Sequence, residues 1–295
     1  MTEILQVNNL TKYYGKIRAV DNLSLSVKKG DVYGILGPNG SGKTTTLAII
    51  SGIIKPQKGN YKWFNKPFEK SIKQKIGSLV EIPYFYPYLN LSQNLKIISY
   101  IKNVPENDID RVLGLTNLLE RKNSRYDNLS LGMKQRLGIA SILLGDPEVM
   151  VLDEPANGLD PEGIAEVREL IKSEAQKNKT IILASHILDE VEKVCSHVGV
   201  LKSGQLIACG KVNELLTTDD LIIISANKLD EIYQLLLNSE LIKSIEKDKD
   251  EISLTLKEKY SPADVNEFAF KNGIVLSKVS VKKKSLESQF LELVK

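Results

Sequence analysis

The segment Gly37-Pro38-Asn39-Gly40-Ser41-Gly42-Lys43-Thr44 limits what this chain can fold into more than any other. Its glycines suit neither helix nor strand, yet it stands between an apolar run, Val32-Tyr33-Gly34-Ile35-Leu36, and a helix-forming run from about Lys43 to Ser51. The pattern is G-x-x-x-x-G-K-[ST], a strand–loop–helix unit that cradles phosphates. Glycines let the backbone wrap closely, so that successive N–H groups face an anion. The following helix adds its positive end. Lys43 brings a cation to the β- and γ-phosphates, and the Thr44 hydroxyl can ligate Mg²⁺. A plain Gly-rich turn is the competing reading, and the flanking strand and helix weigh against it.

A second element is Val149-Met150-Val151-Leu152-Asp153-Glu154, an apolar strand ending in two acids. Ligands bind at the carboxyl edge of parallel sheets. There Asp153 would hold Mg²⁺, and Glu154 would polarise an attacking water as general base. Alone, two adjacent carboxylates would read as a solvated turn. Strand and helix then alternate: Val149–Leu152, a helix after Pro161 capped by Asp160, Thr180–Ala184, a helix near Ile187–Val194, and Val198–Lys202. That alternation implies a parallel sheet with helices on both faces. The first forty residues read as short strands, and residues from about 92 to 145 as mainly helical.

The third element is Leu129-Ser130-Leu131-Gly132-Met133-Lys134-Gln135-Arg136. Ser130 caps a helix whose start contains Gly132, which leaves backbone N–H groups free to face an anion. The stretch resembles the Leu-Ser-Gly-Gly-Gln signature of ABC ATPases, with its Gln-Arg continuation, and the resemblance extends over residues from about 3 to 216. It implies an α/β P-loop NTPase of ABC type in residues 1–217, with a parallel sheet core, an N-terminal antiparallel β subdomain and a helical subdomain at about 82–145. ATP and Mg²⁺ are the implied ligands and ATP hydrolysis the implied reaction. Two copies would pack head to tail, with Ser130 and Gly132 of one completing the other's site at the γ-phosphate. On the same resemblance Tyr14 matches the aromatic that stacks on adenine, and Gly37 through Thr45 the phosphate loop. Asn157-Gly158-Leu159-Asp160 matches the loop that crosses the dimer interface, and His186 the histidine that contacts the γ-phosphate. His197, at the start of a later strand, reads as structural.

Two positions depart from the family pattern. Leu131 replaces the first signature glycine while Gly132 keeps the second. Glu81 stands where most relatives carry a glutamine that links Mg²⁺ and water to a membrane partner; a carboxylate can also ligate Mg²⁺. Ile82-Pro83-Tyr84-Phe85-Tyr86-Pro87-Tyr88-Leu89 follows, with four aromatics and two prolines. This points to a docking groove, which in the family receives a short helix of an integral membrane permease; packing inside the helical subdomain is the alternative. Ile76–Glu81, Phe85–Pro87, Ser130–Gly138 and the tail Ser285–Leu293 resemble the bacitracin-transport and lantibiotic-immunity branch, whose members expel antimicrobial peptides.

Residues 218–295 carry no glycine loop and no catalytic-looking cluster. They read as a strand (221–225), a helix (228–238), strands near 242–256, a helix (262–271) and a strand (274–282): a small α+β accessory domain of split βαβ type. Cys195 and Cys209 match no redox or zinc spacing and read as core residues. Lys282-Lys283-Lys284 reads as a solvated charge run. With 40 basic against 37 acidic residues, the chain lacks the excess of a nucleic-acid binder, so no nucleic-acid partner is expected. The N-terminus lacks the pattern of a signal peptide, and no run approaches the roughly 20 apolar residues that cross a bilayer. The expected location is therefore the cytoplasmic face of the cell membrane, reached through the permease. A soluble ABC ATPase acting on ribosomes or DNA, and an ATP-binding regulatory subunit with weak hydrolysis, are the rival readings.

Overall fold

The computed structural model describes residues 2–81, 84–215, 221–257 and 259–282. They form two compact units, Met1–Val212 and Asn213–Lys295. The first begins β1 (Glu3–Tyr14), β2 (Ile17–Lys28), β3 (Val32–Leu36), α1 (Lys43–Ile50), β4 (Lys58–Trp63), β5 (Lys66–Pro67), α2 (Lys70–Lys73) and β6 (Ile76–Leu79). A helical stretch follows, α3 (Leu91–Lys102), α4 (Asp108–Leu115) and α5 (Leu131–Leu143). Then come β7 (Val149–Asp153), α6 (Pro161–Gln176), β8 (Thr180–Ser185), α7 (Leu188–Val194), β9 (His197–Lys202) and β10 (Gln205–Lys211). The short helix α8 (Val212–Leu215) spans the junction.

Six strands make the main sheet in the order β10-β9-β3-β8-β7-β6, parallel except for β10. Every residue of β3, β7 and β8 is buried, as strands covered on both faces require. A second, antiparallel sheet runs β2-β1-β4-β5. Of the short strands expected over the first forty residues, Val32–Leu36 is one of 5 residues, but the stretch before it forms two strands of 12 residues each. Register slips between Val7 and Tyr13, with Asn9 at φ 51° and Asn22 at φ 50°, interrupt the period-2 alternation and disguise their length. One apolar core fills the space between the sheets, joining Leu5, Val20 and Leu23 to Ile35, Leu47 and Val151. Trp63 is fully buried, and its indole N–H donates to the Ile50 carbonyl at 2.8 Å, so the end of α1 is pinned to the antiparallel sheet.

The second unit runs β11 (Leu221–Ala226), α9 (Leu229–Leu237), β12 (Ile242–Lys247), β13 (Ile252–Leu256), α10 (Pro262–Lys271) and β14 (Leu276–Lys282). Its sheet is antiparallel in the order β12-β13-β11-β14, so each βαβ pair brackets a strand of the other, which is the split βαβ arrangement. Ile222 and Ile224 of β11 pack with Ile232 and Leu236 of α9 and with Val265 and Ala269 of α10. The last strand starts two residues later than 274, because Gly273 at φ 74° and Ile274 still close the end of α10.

Cys195 is buried as expected, but Cys209 is exposed. It lies on β10, the edge strand of the main sheet, where alternate side chains face solvent. The junction expected at 217/218, the basic pair Lys283-Lys284 and the tail Ser285–Leu293 lie outside the described residues.

Candidate nucleotide site

The loop after β3 is built by contacts that only glycine permits. A Cβ at Gly37 would lie 2.3 Å from the Ser41 hydroxyl and 2.5 Å from the Leu201 carbonyl oxygen. At Gly42, φ is 101° and a Cβ would lie 2.3 Å from the Ala19 carbonyl oxygen. Gly40 has φ 78° and open space around it. Pro38, Asn39 and Gly40 are exposed, whereas Ser41 and Lys43 are buried. Helix α1 starts at Lys43 with no capping side chain, so its first N–H groups, including those of Thr44 and Thr45, have no capping acceptor. The buried Ser41 hydroxyl oxygen also has no hydrogen-bond partner. Unmet donors at a helix start suit an anion.

Strand order brings the acids to this loop. Strand β8 lies between β3 and β7, so the carboxyl end of β7 opens beside the loop. Glu154 takes φ 47°, held by its N–H donating to the Ala184 carbonyl at 3.0 Å. That conformation costs a non-glycine residue about 1–2 kcal/mol. It brings the carboxylate between an ammonium and an imidazole: Oε1 lies 3.4 Å from Lys43 Nζ, and Oε2 lies 2.8 Å from His186 Nδ1. Lys43 Nζ also donates to the carbonyls of Gly37 at 2.8 Å and Pro38 at 3.3 Å. Asp153 is buried, and one carboxylate oxygen has no partner. Burial pushes its carboxyl above the ordinary range; the Thr44 hydroxyl bond and the Lys43 charge oppose this, while Glu154 and Glu81 add to it. Glu81 follows β6 at φ 66° and is exposed. Thr44, Asp153 and Glu81 thus share one electrostatic neighbourhood with Lys43, Glu154 and His186.

Ser130, Gly132 and Asp160 lie elsewhere in the unit. They line a cleft of ≈ 380 Å³ with Arg136, Gly158 and Glu166, and none of the Lys43–Glu154–His186 group lines it. Ser130 caps α5, its hydroxyl accepting from Met133 N–H at 3.3 Å. Asp160 caps α6, accepting from Gly163 N–H at 3.0 Å. Leu131, the departure from the signature, is 55% exposed at the cleft rim. Sequence reasoning missed an ion pair in the lining of this cleft, Arg136 and Glu166 at 3.1 Å. Arg136 stands within the signature motif, but nothing in the sequence marks its partner on α6.

Tyr14 is half exposed at the end of β1, with the Lys12 ammonium 5.6 Å from its ring centre. In the aromatic loop Tyr84, Tyr86 and Tyr88 are exposed, whereas Phe85 is buried against Tyr126 at 5.2 Å between ring centres. Packing inside the helical stretch therefore holds for Phe85, while the three tyrosines stay exposed; Ile82 and Pro83 lie outside the described residues. His197 sits 3.4 Å from Asp31 and 3.0 Å from the Ser196 hydroxyl, far along β9 from the acids.

Comparison with known proteins bears on the whole chain. The sequence profile of the family described as "ABC transporter" matches residues 20–157. The bacitracin transport ATP-binding protein BcrA of Bacillus licheniformis is 38% identical over 300 residues, covering 100% of this chain and 98% of that protein. The lantibiotic transport ATP-binding protein SrtF of Streptococcus pyogenes is 39% identical over 207 residues, covering 69% of this chain and 89% of the relative. Among solved structures, the ATP-binding cassette MJ0796, a dimer in a post-hydrolysis state bound to ADP and Pi, superposes with a TM-score of 0.65 at 25% identity over 71% of this chain and 99% of its own. A phosphate loop facing two acids across a parallel sheet, and full-length likeness to ATP-binding transport subunits, lead to one assignment: the chain belongs to the ABC transporter family as an ATP-binding, ATP-hydrolysing subunit.

Proposed function

We propose that this subunit drives export of antimicrobial peptides or related drugs through a separate permease, with Lys43, Glu154 and His186 carrying the hydrolytic chemistry. The observation that carries the reading is the line of three side chains, ammonium to carboxylate at 3.4 Å and carboxylate to imidazole at 2.8 Å. Bound ATP would offer phosphate oxygens to Lys43 in place of the Gly37 and Pro38 carbonyls, and would draw the ammonium from Glu154. The freed carboxylate then orients a water and takes its proton as the water oxygen attacks the γ-phosphorus. The bond to the bridging oxygen breaks and ADP leaves with that electron pair. His186, held at Glu154, stands ready to contact the γ-phosphate.

Mg²⁺ fits the residues present, because Asp153 has a buried oxygen without a partner next to the Thr44 hydroxyl. Thr44, Asp153 and Glu81 would hold it, and it would neutralise phosphate charge. Tyr14, being half exposed, is free to stack on adenine. Ser130, Gly132 and Asp160 would complete the site of a second copy packed head to tail, a reading supported by the dimeric cassette described above. No helix among the described residues is long and apolar enough to cross a membrane. The span would therefore belong to the permease, docked near Glu81–Leu91 against the exposed tyrosines, with this chain at the cytoplasmic face. Full-length collinearity with the bacitracin relative supports peptide antibiotics as cargo. Deleting the gene should sensitise cells to bacitracin-like peptides, and unchanged tolerance would remove that cargo from the proposal. A ribosome or DNA, rather than a permease, co-purifying with the chain would remove the transport role.

A further inference from the structure

Helix α5 has an open end and a held end. Its first residue, Leu131, is exposed, while everything from Leu137 to Leu143 is buried. The last carbonyls of a helix have no intrahelical donor, and here two cations from other helices meet three of them and the Leu144 carbonyl just beyond. Lys102, the last residue of α3, donates from Nζ to the carbonyls of Ser141 at 2.9 Å, Ile142 at 3.0 Å and Leu144 at 3.3 Å. Arg111 of α4 donates from Nη2 to the Leu143 carbonyl at 3.0 Å. Asp108 ties the set together, pairing with Arg111 and accepting the Gly145 N–H at 2.8 Å. Cations at a helix C-terminus also face its negative end. Gly77 of β6 packs so tightly there that a Cβ would lie 2.5 Å from the Ile142 carbonyl oxygen.

The far end of α3 grips the aromatic loop in the same manner. Asn94 is buried, accepts the Tyr86 N–H at 2.8 Å, and donates to the carbonyls of Tyr86, Leu89 and Asn90 at 3.1, 3.3 and 3.0 Å. Helix α3 therefore connects the loop Tyr86–Asn90 to the held end of α5. The open end of α5, with Ser130 and Gly132, lies about 20 Å away at 1.5 Å per residue.

We propose that Lys102 and Arg111 are positioning residues for ATP hydrolysis: by holding the C-terminal carbonyls of α5 they fix Ser130 and Gly132 relative to the loop that α3 carries. The inference rests on the proposed part of Ser130 and Gly132 in completing the site of a second copy. Burial lowers the Lys102 pKa to about 8, so its ammonium is sheltered rather than freely solvated. The clamp acts on the partner's ATP, and that distinguishes it from a merely structural contact.

Mixed dimers of full-length chains carrying two different tags test this. In the first mixture, Lys102→Met is paired with a Glu154→Gln chain; the one working base then faces an α5 whose clamp is intact. In the second, both substitutions are in one chain and the partner is unaltered, so the one working base faces the unclamped α5. We expect turnover in the second at least about 10-fold below the first, since small misplacements of positioning groups cost up to about 100-fold. Equal turnover in the two mixtures would overturn the clamp. Ser130→Ala in place of Lys102→Met is the reference for the underlying reading. If it shows the asymmetry while Lys102→Met does not, the clamp alone fails; if it shows none, the head-to-tail reading fails and the clamp with it. Should Lys102→Met lose its folding transition, Arg111→Met, which leaves the three Lys102 bonds in place, carries the same comparison.

Discussion

The two units use similar layers and carry very different backbones. Every described non-glycine residue with positive φ lies in the first unit, from Asn9 to Ser203, whereas among the described residues of the second unit only Gly273 turns that way. Among the described residues, the buried side-chain oxygens without a hydrogen-bond partner, in Ser41, Ser51, Asp153 and Glu174, also lie in the first unit. Glu174 is ion-paired with Lys179 at 2.6 Å, which meets its charge. Ser41 and Asp153 stand at the phosphate loop with no such relief. Strain at Glu154 and unmet polar atoms at Ser41 and Asp153 meet at the loop where a ligand could repay them. The phosphate-loop region of the first unit thus keeps unmet polar atoms, while the described residues of the second form a sheet and two helices around Ile222, Ile224, Val265 and their neighbours.

The sharpest test of that contrast is Glu154→Gln. It should cut steady-state phosphate release by about 10²–10⁴-fold, the usual worth of a general base, while an ATP-bound dimer accumulates on size exclusion. Turnover near that of the unaltered chain would remove Glu154 from its role. In the second unit Ile224→Ala, at a fully buried position, should cost about 2–5 kcal/mol of that unit's stability. Calorimetry should show an earlier transition with hydrolysis per folded chain unchanged; a matching fall in hydrolysis would break the division of labour.

A paired glycine test is smaller. Gly42→Ala forces a Cβ to within 2.3 Å of the Ala19 carbonyl oxygen at φ 101°, and should cost about 2–4 kcal/mol with loss of ATP binding by fluorescence titration. Gly273→Ala meets open space at φ 74°, and should cost only about 1 kcal/mol. A further test concerns pH. Lys102 titrates near 8 in the folded chain against an ordinary 10.5, so between those values the unfolded chain binds more protons and stability rises with pH. Asp108 and Arg111 face the same site and keep their charges over that range. Denaturant titrations from pH 8 to 10 should show that rise in the unaltered chain and a flatter profile in Lys102→Met.

Much of this was readable beforehand for a local reason. The span of α10 and the starts of α1 and α6 follow from caps, prolines and glycines within a few residues, as at Asp160-Pro161 and Ser261-Pro262. The long bulged strands β1 and β2 were not readable, because Asn9 and Asn22 break the alternation that signals a strand. Cys209 misled because apolar composition does not reveal which strand ends a sheet. The aromatic loop divided between Phe85, buried on Tyr126, and three exposed tyrosines, since neighbouring aromatics look alike until a partner from elsewhere in the chain selects one.

By itself the sequence determined the phosphate loop, the acidic strand end and the capped signature helix, for each is a short pattern whose residue types are imposed by its own backbone and chemistry. Tertiary structure alone decided that Lys43 and His186 both meet Glu154, that Arg136 pairs with Glu166 in the lining of a cleft, and that Lys102 grips the end of α5. The physical reason is the same throughout. Strand order and helix packing join residues tens of positions apart, and a hydrogen bond at 3 Å leaves no trace in local composition.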